Sequence, residues 1–189
     1  MELIKLADII YKNTNKLNFG GNKDWDDSIF LKIWFDNLAE SIPNNKGLYW
    51  FISDCNLSQL KLPKEFPKNG CNFSETSYNN VKTFGDSLLT YLDEKKQRVV
   101  YNGHQQNVMN RVRQHFHLDN QTTGALGIKK YSLSSSTWIL KYFTLNDVPK
   151  IIDEKEKSQI TSLLNSTTGR IALENAWRIK YGWPPLCKL

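Results

Sequence analysis

The sequence predicts an α+β fold, in which a small and mostly antiparallel sheet is flanked by helices. Two observations carry this. Short strand-like runs at Leu48–Ile52, Arg98–Tyr101 and Thr137–Thr144 stand near helical segments in mixed order, without the strict alternation of a doubly wound parallel sheet. The length of 189 residues fits one domain, and 40% apolar content with six Trp supplies the side-chain area for a core.

Taken in order, Ile29, Phe30, Ile33, Trp34, Leu38 and Ile42 recur at helical spacing after Asp27 or Ser28 as cap, and Pro43 to Gly47 end that helix. Leu48–Ile52 is a continuous apolar run, the pattern of a strand buried on both faces. Ser53 to Asn80 is polar, with Pro63, Pro67 and Gly70, and is expected to be a looped insertion. Phe84, Leu88, Leu89 and Leu92 suggest a helix before the Arg98–Tyr101 strand. A helix from Asn107 to His117 follows, with Asn107 as cap. Thr137–Thr144 reads as a strand, Glu154–Leu164 as a charged helix, and Arg170–Tyr181 as a last helix stopped by Gly182 and Pro184-Pro185. The division expected is a helical N-terminal extension over 1–46, available for partner contact or dimerisation, and a core over 47–189 with an insertion at about 53–97.

A net charge of +6 and a pI near 9.1 suit an anionic partner such as a polyphosphate backbone. Cys55, Cys71 and Cys187 are odd in number and widely spaced, which speaks against a disulfide framework or a Cys-rich zinc site. No apolar run reaches the roughly 18 to 20 residues of a membrane span and no signal-peptide pattern opens the chain, so a cytoplasmic protein without membrane partner is expected.

The polar residues from Tyr101 to His115 are arranged for chemistry. Arg111 lies ten positions after Tyr101 and His115 four after Arg111, so that the last two share a helix face and reach one anion. With Gly47-Leu48-Tyr49 upstream and Tyr101-Asn102-Gly103 at the next strand, the ordered set resembles the GIY-YIG nuclease family. In that family a Gly-x-Tyr strand pairs with a Tyr-x-Gly strand and the following helix presents an Arg and a His one turn apart. Its metal-binding Glu lies on a later helix before a Pro-rich stop, a place similar to that of Glu174 before Pro184-Pro185. Two departures stand out. Tyr49 and Tyr101 are far apart in sequence for a near-direct hairpin, and Leu186-Cys187 follows the Pro pair where the family often has Asn.

The resemblance implies a DNA endonuclease of stand-alone restriction type with catalytic residues Tyr49, Tyr101, Arg111, His115 and Glu174. Tyr49 would be the base. Glu174 would hold Mg²⁺, with Mn²⁺ as a substitute, since a lone carboxylate suits an ion that keeps its waters. Arg111 would offer a planar fork to the phosphate. Lys61, Lys64, Lys68 and Arg113 are the candidate contacts to double-stranded DNA, and cleavage of a palindromic site would call for a homodimer. Taken singly, Tyr49 reads as core, Arg111 as a solvated helix charge and Glu174 as a solvated face. The competing function is a basic nucleic-acid-binding module that does not cut; a repair or homing nuclease of the same family is a further alternative.

Overall fold

The computed structural model describes residues 2–20, 45–60, 71–117, 125–128, 131 and 136–188. Among these, α1 (Glu2–Lys12), β1 (Asn15–Gly20), β2 (Gly47–Ser53), α2 (Phe73–Phe84), β3 (Arg98–Gln105), α3 (Val108–His117), β4 (Thr137–Thr144), α4 (Glu154–Asn165) and α5 (Thr167–Tyr181) follow one another. The helix expected over Asp27–Ile42 lies outside the described residues, as do Lys61, Lys64 and Lys68.

The fold is α+β. Its four-stranded sheet has the order β1-β4-β2-β3 and all three pairings are antiparallel. β2 is buried along almost its whole length, which is why its sequence is a continuous apolar run rather than an alternation. Neighbouring residues of β2 therefore serve two different cores. Tyr49 and Phe51 pack with Trp138, Leu140, Phe73 and Val112 on the face covered by α2 and α3. Leu48 and Trp50 pack with Phe143, Ile10, Leu173 and Trp177 on the face covered by α1, α4 and α5.

The helix starts follow local capping chemistry. Asn107 accepts from the Asn110 amide at 3.0 Å, Asp153 from Glu156 at 2.8 Å and Ser166 from Gly169 at 2.8 Å, each satisfying an amide that the first turn leaves open.

Three expectations are corrected. The stretch 53–80 is not all loop, because Asn72 caps Glu75 and starts α2, whose polar sequence buries only a narrow face at Phe73, Ser77 and Asn80. No helix runs through Phe84 to Leu92. Gly85, at φ 68, closes α2; Leu88 and Leu92 stay exposed, while Leu89 is buried beside Trp183 in extended backbone, so the spacing presents no helical face to a core. The N-terminal residues are also not helix alone: β1 pairs with β4 at the sheet edge and α1 packs on α5.

Candidate functional site

The site begins with the pairing of β2 and β3. Tyr49 stands opposite Gly103, and the Tyr49 ring crosses the space a side chain at 103 would fill: a Cβ there would lie 2.5 Å from the Tyr49 hydroxyl and 2.7 Å from its ring carbon Cζ. Glycine is thus a steric requirement of the tyrosine on the neighbouring strand. Gly47 is constrained in a similar way, since a Cβ would meet the Phe143 carbonyl oxygen at 2.2 Å.

α3 supplies the next two groups. The Tyr49 hydroxyl is 2.7 Å from His115 Nε2, and the Leu126 amide donates to His115 Nδ1 at 3.2 Å. Because Nδ1 is an acceptor, the neutral ring carries its proton on Nε2 and donates it to the phenol oxygen. The Tyr49 proton is then directed elsewhere. Tyr101 completes an aromatic wall, its ring centroid 6.2 Å from Tyr49 and 4.8 Å from His115. Arg111, bonded to Gln114 at 2.9 Å, also reaches the Tyr49 phenol with its charge and a hydrogen bond.

Burial sets the protonation of this cluster. Tyr49 is 1% exposed, and burial raises its phenol well above the usual range; Tyr101 adds to that and Arg111 opposes it. Tyr101 is raised as well, mainly by burial. His115 is fully buried and held well below its ordinary value, first by burial and then by Arg111.

Glu174 projects from α5 and is 9% exposed. One carboxylate oxygen pairs with Arg178 one turn on, and the other faces His104 Nε2 at 3.7 Å. Burial raises the Glu174 carboxyl and Arg178 opposes the rise, while its charge extends to both Tyr49 and Tyr101. Burial, with Arg170 and then Arg178, lowers His104 to about 4. Arg178 also donates to Asn102 Oδ1 at 2.9 Å and lies 4.4 Å over the Trp183 ring. A cleft of about 160 Å³ at the β3 edge, lined by Tyr101, Leu126, Arg178 and Cys187, adjoins both halves.

The structure therefore brings Tyr49, Tyr101, Arg111 and His115 into one cluster and sets Glu174 beside it. Arg113 is exposed on α3. No helix among the described residues is long and apolar enough to cross a membrane. Comparison with family models, curated proteins and solved structures finds no match for this chain.

Asn102, His104 and Arg178 are not among the site residues expected from the sequence, and Cys187 entered there only as a departure after the Pro pair. The i, i+4 spacing of Glu174 and Arg178 was a usable signal. Cys187, where an Asn was expected, is buried with its sulfur 3.3 Å from Asn102 Oδ1 and 3.4 Å from the Asn102 amide nitrogen.

Among the described residues no three His, Cys, Asp or Glu side chains converge, so a fully dehydrated protein cage is excluded there. A single carboxylate with one oxygen free of short contacts fits a hydrated Mg²⁺, whose other ligands are waters and substrate oxygens. Among the described residues His104 Nδ1 and Asn102 Nδ2 are buried and have no hydrogen-bond partner.

Proposed function

We propose that this chain is a metal-dependent DNA endonuclease that hydrolyses phosphodiester bonds. The observation that carries the reading is the Tyr49, His115, Arg111 and Tyr101 cluster built around Gly103. It joins a permanent cation, a phenol with a defined hydrogen-bond donor behind it, and a carboxylate next to both.

Each group has a role in phosphate chemistry. Arg111 binds a nonbridging oxygen of the scissile phosphate and stabilises the charge that gathers there during attack. Tyr49 orients the attacking water and takes its proton as the bond to phosphorus forms. Burial opposes the phenolate, so the site must offset it. His115 Nε2–H and Arg111 both donate to the phenol oxygen and favour its charged form. Tyr101 packs against both rings and holds them in place. Glu174 would hold Mg²⁺, which when bound supplies positive charge to the phosphate and leaving oxygens. Within this class we favour a sequence-specific restriction enzyme acting as a dimer on double-stranded DNA, with Arg113 among the phosphate contacts.

One observation favours a second reading. Glu174 is already neutralised by Arg178, as suits a module that binds nucleic acid without cutting it. Incubation with unmodified and methylated DNA in Mg²⁺ or in EDTA separates the two. Discrete metal-dependent fragments, lost in Arg111→Ala and Glu174→Gln, support the nuclease. Salt-sensitive binding with no cleavage in Mg²⁺ or Mn²⁺, or equal cleavage by the variants, overturns it.

A further inference from the structure

On the sheet face away from Tyr49, a cavity of about 330 Å³ opens between α1, α5, β4 and the 90–98 segment. That volume falls at the lower end of small-molecule sites, about 300 to 1000 Å³. Its polar lining is cationic. Lys16 and Lys141 are direct cross-strand partners in the β1 and β4 pairing, and Arg98 of β3 also lines the cavity. Like charges placed opposite each other on a sheet destabilise it, so the arrangement calls for an anion between them. Among the described residues Lys16, Lys141 and Arg98 form no ion pair, although the Asp86 charge acts on Arg98; Lys16 is exposed, and Lys141 and Arg98 are each only partly exposed. Asp93 also lines the cavity: one of its carboxylate oxygens accepts from the Lys95 and Gln97 amides at 2.9 and 2.8 Å, and its charge acts on Tyr11.

The remaining walls are aromatic. Tyr11 meets Trp177 edge-on at 5.3 Å and Tyr181 at 5.0 Å, while the Lys141 ammonium sits 4.3 Å over the Tyr11 ring. Tyr91 stands at the rim with 74% of its surface exposed, a stacking plane that packs into no core. Trp177 is buried, and among the described residues its indole N–H has no hydrogen-bond partner.

We propose that this cavity binds a nucleoside monophosphate unit, with the phosphate between Lys16, Lys141 and Arg98 and the base against the Tyr11 and Tyr91 side. Three cations suit a group that carries nearly two negative charges, and a base is recognised by stacking without need of a matched hydrogen-bond set. The same unit is available as a free nucleotide or as the phosphorylated end of a strand.

The test is titration of ¹⁵N-labelled protein with AMP, adenosine, inorganic phosphate and a 5′-phosphorylated oligonucleotide, following the Trp177 indole resonance as assigned with Trp177→Phe. AMP or the oligonucleotide is expected to shift it saturably, with adenosine and phosphate at least about tenfold weaker. Whichever of the first two binds more tightly identifies the source. Lys141→Met and Arg98→Gln should each weaken binding at least about tenfold. Lys141→Met also relieves the Lys16 repulsion, so without ligand it should unfold at the same or a higher temperature than wild type. Failure of both AMP and the oligonucleotide to shift Trp177, or binding that survives both cavity variants, overturns the proposal.

Discussion

Gly103→Ala tests the central geometry of the site most directly. The new methyl would begin 2.5 Å from the Tyr49 hydroxyl, so the ring must retreat by about 0.9 Å to reach the 3.4 Å of an ordinary contact. Tyr49 has no free space for that retreat, being fully packed against Phe51, Tyr101 and His115. Crowding of this kind costs about 1 to 3 kcal/mol. Moving the hydroxyl also breaks its bond to His115, which adds about 0.5 to 1.5 kcal/mol. The total, about 1.5 to 4.5 kcal/mol, corresponds to a thermal midpoint lowered by roughly 3 to 18 °C in a chain of this size. Displacement of a reacting group by about 1 Å costs on the order of 100-fold in rate, so cleavage should fall at least that far. The assay is thermal and urea unfolding of Gly103→Ala, Tyr49→Phe and the double variant. Removing the hydroxyl removes the closest contact, so the double variant should be more stable than the two single losses added together. A Gly103→Ala protein with wild-type stability, or strict additivity of the two changes, would refute the geometry.

Other consequences follow from the same residues. Tyr49→Phe leaves His115 Nε2–H buried without an acceptor and should destabilise by about 1 to 3 kcal/mol in urea unfolding, while abolishing cleavage. His115 should appear by ¹⁵N NMR as the neutral Nε2-protonated tautomer from pH 5 to 8; a protonated ring in that range would contradict its burial against Leu126. Its folded-state proton affinity lies below the unfolded value of about 6.5, so the unfolded chain binds more protons in acid. Stability from this residue is therefore complete above about pH 6.5 and declines as pH falls below it, a slope that His115→Asn should reduce in urea midpoints measured between pH 8 and 5. Arg178→Met strands the Glu174 charge and should cost about 3 to 5 kcal/mol, with the Glu174→Gln/Arg178→Met pair recovering part of that loss.

The parts of the fold legible in the sequence were those where local and tertiary preferences agree. β2 is a continuous apolar run, and β4 is apolar apart from Lys141 and its terminal Thr residues, because both are interior strands. α5 carries its own stop at Gly182. β1 was illegible: Asn-Lys-Leu-Asn-Phe-Gly has little strand propensity, and pairing with β4 makes it a strand. α2 hid behind polar composition, since its buried face includes Ser77 and Asn80. In the site, Tyr49, Arg111 and His115 could be read from spacing because strand pairing and one helical turn suffice to bring them together. The contact of Cys187 with Asn102 could not, as it depends on where the chain goes after the last helix.

That course has a consequence of its own. β3 is an edge strand, with a row of backbone groups facing outward that another chain's strand could pair with. The residues after α5 cover it. The Leu186 amide donates to the Val100 carbonyl at 2.9 Å, Cys187 lies along Asn102, and Asn80 holds the Pro185 and Cys187 carbonyls at 2.9 Å each. The short tail therefore acts as a guard against sheet-to-sheet association, and its detachment would change how copies of the protein behave toward one another in solution before it changed the fold of any single copy.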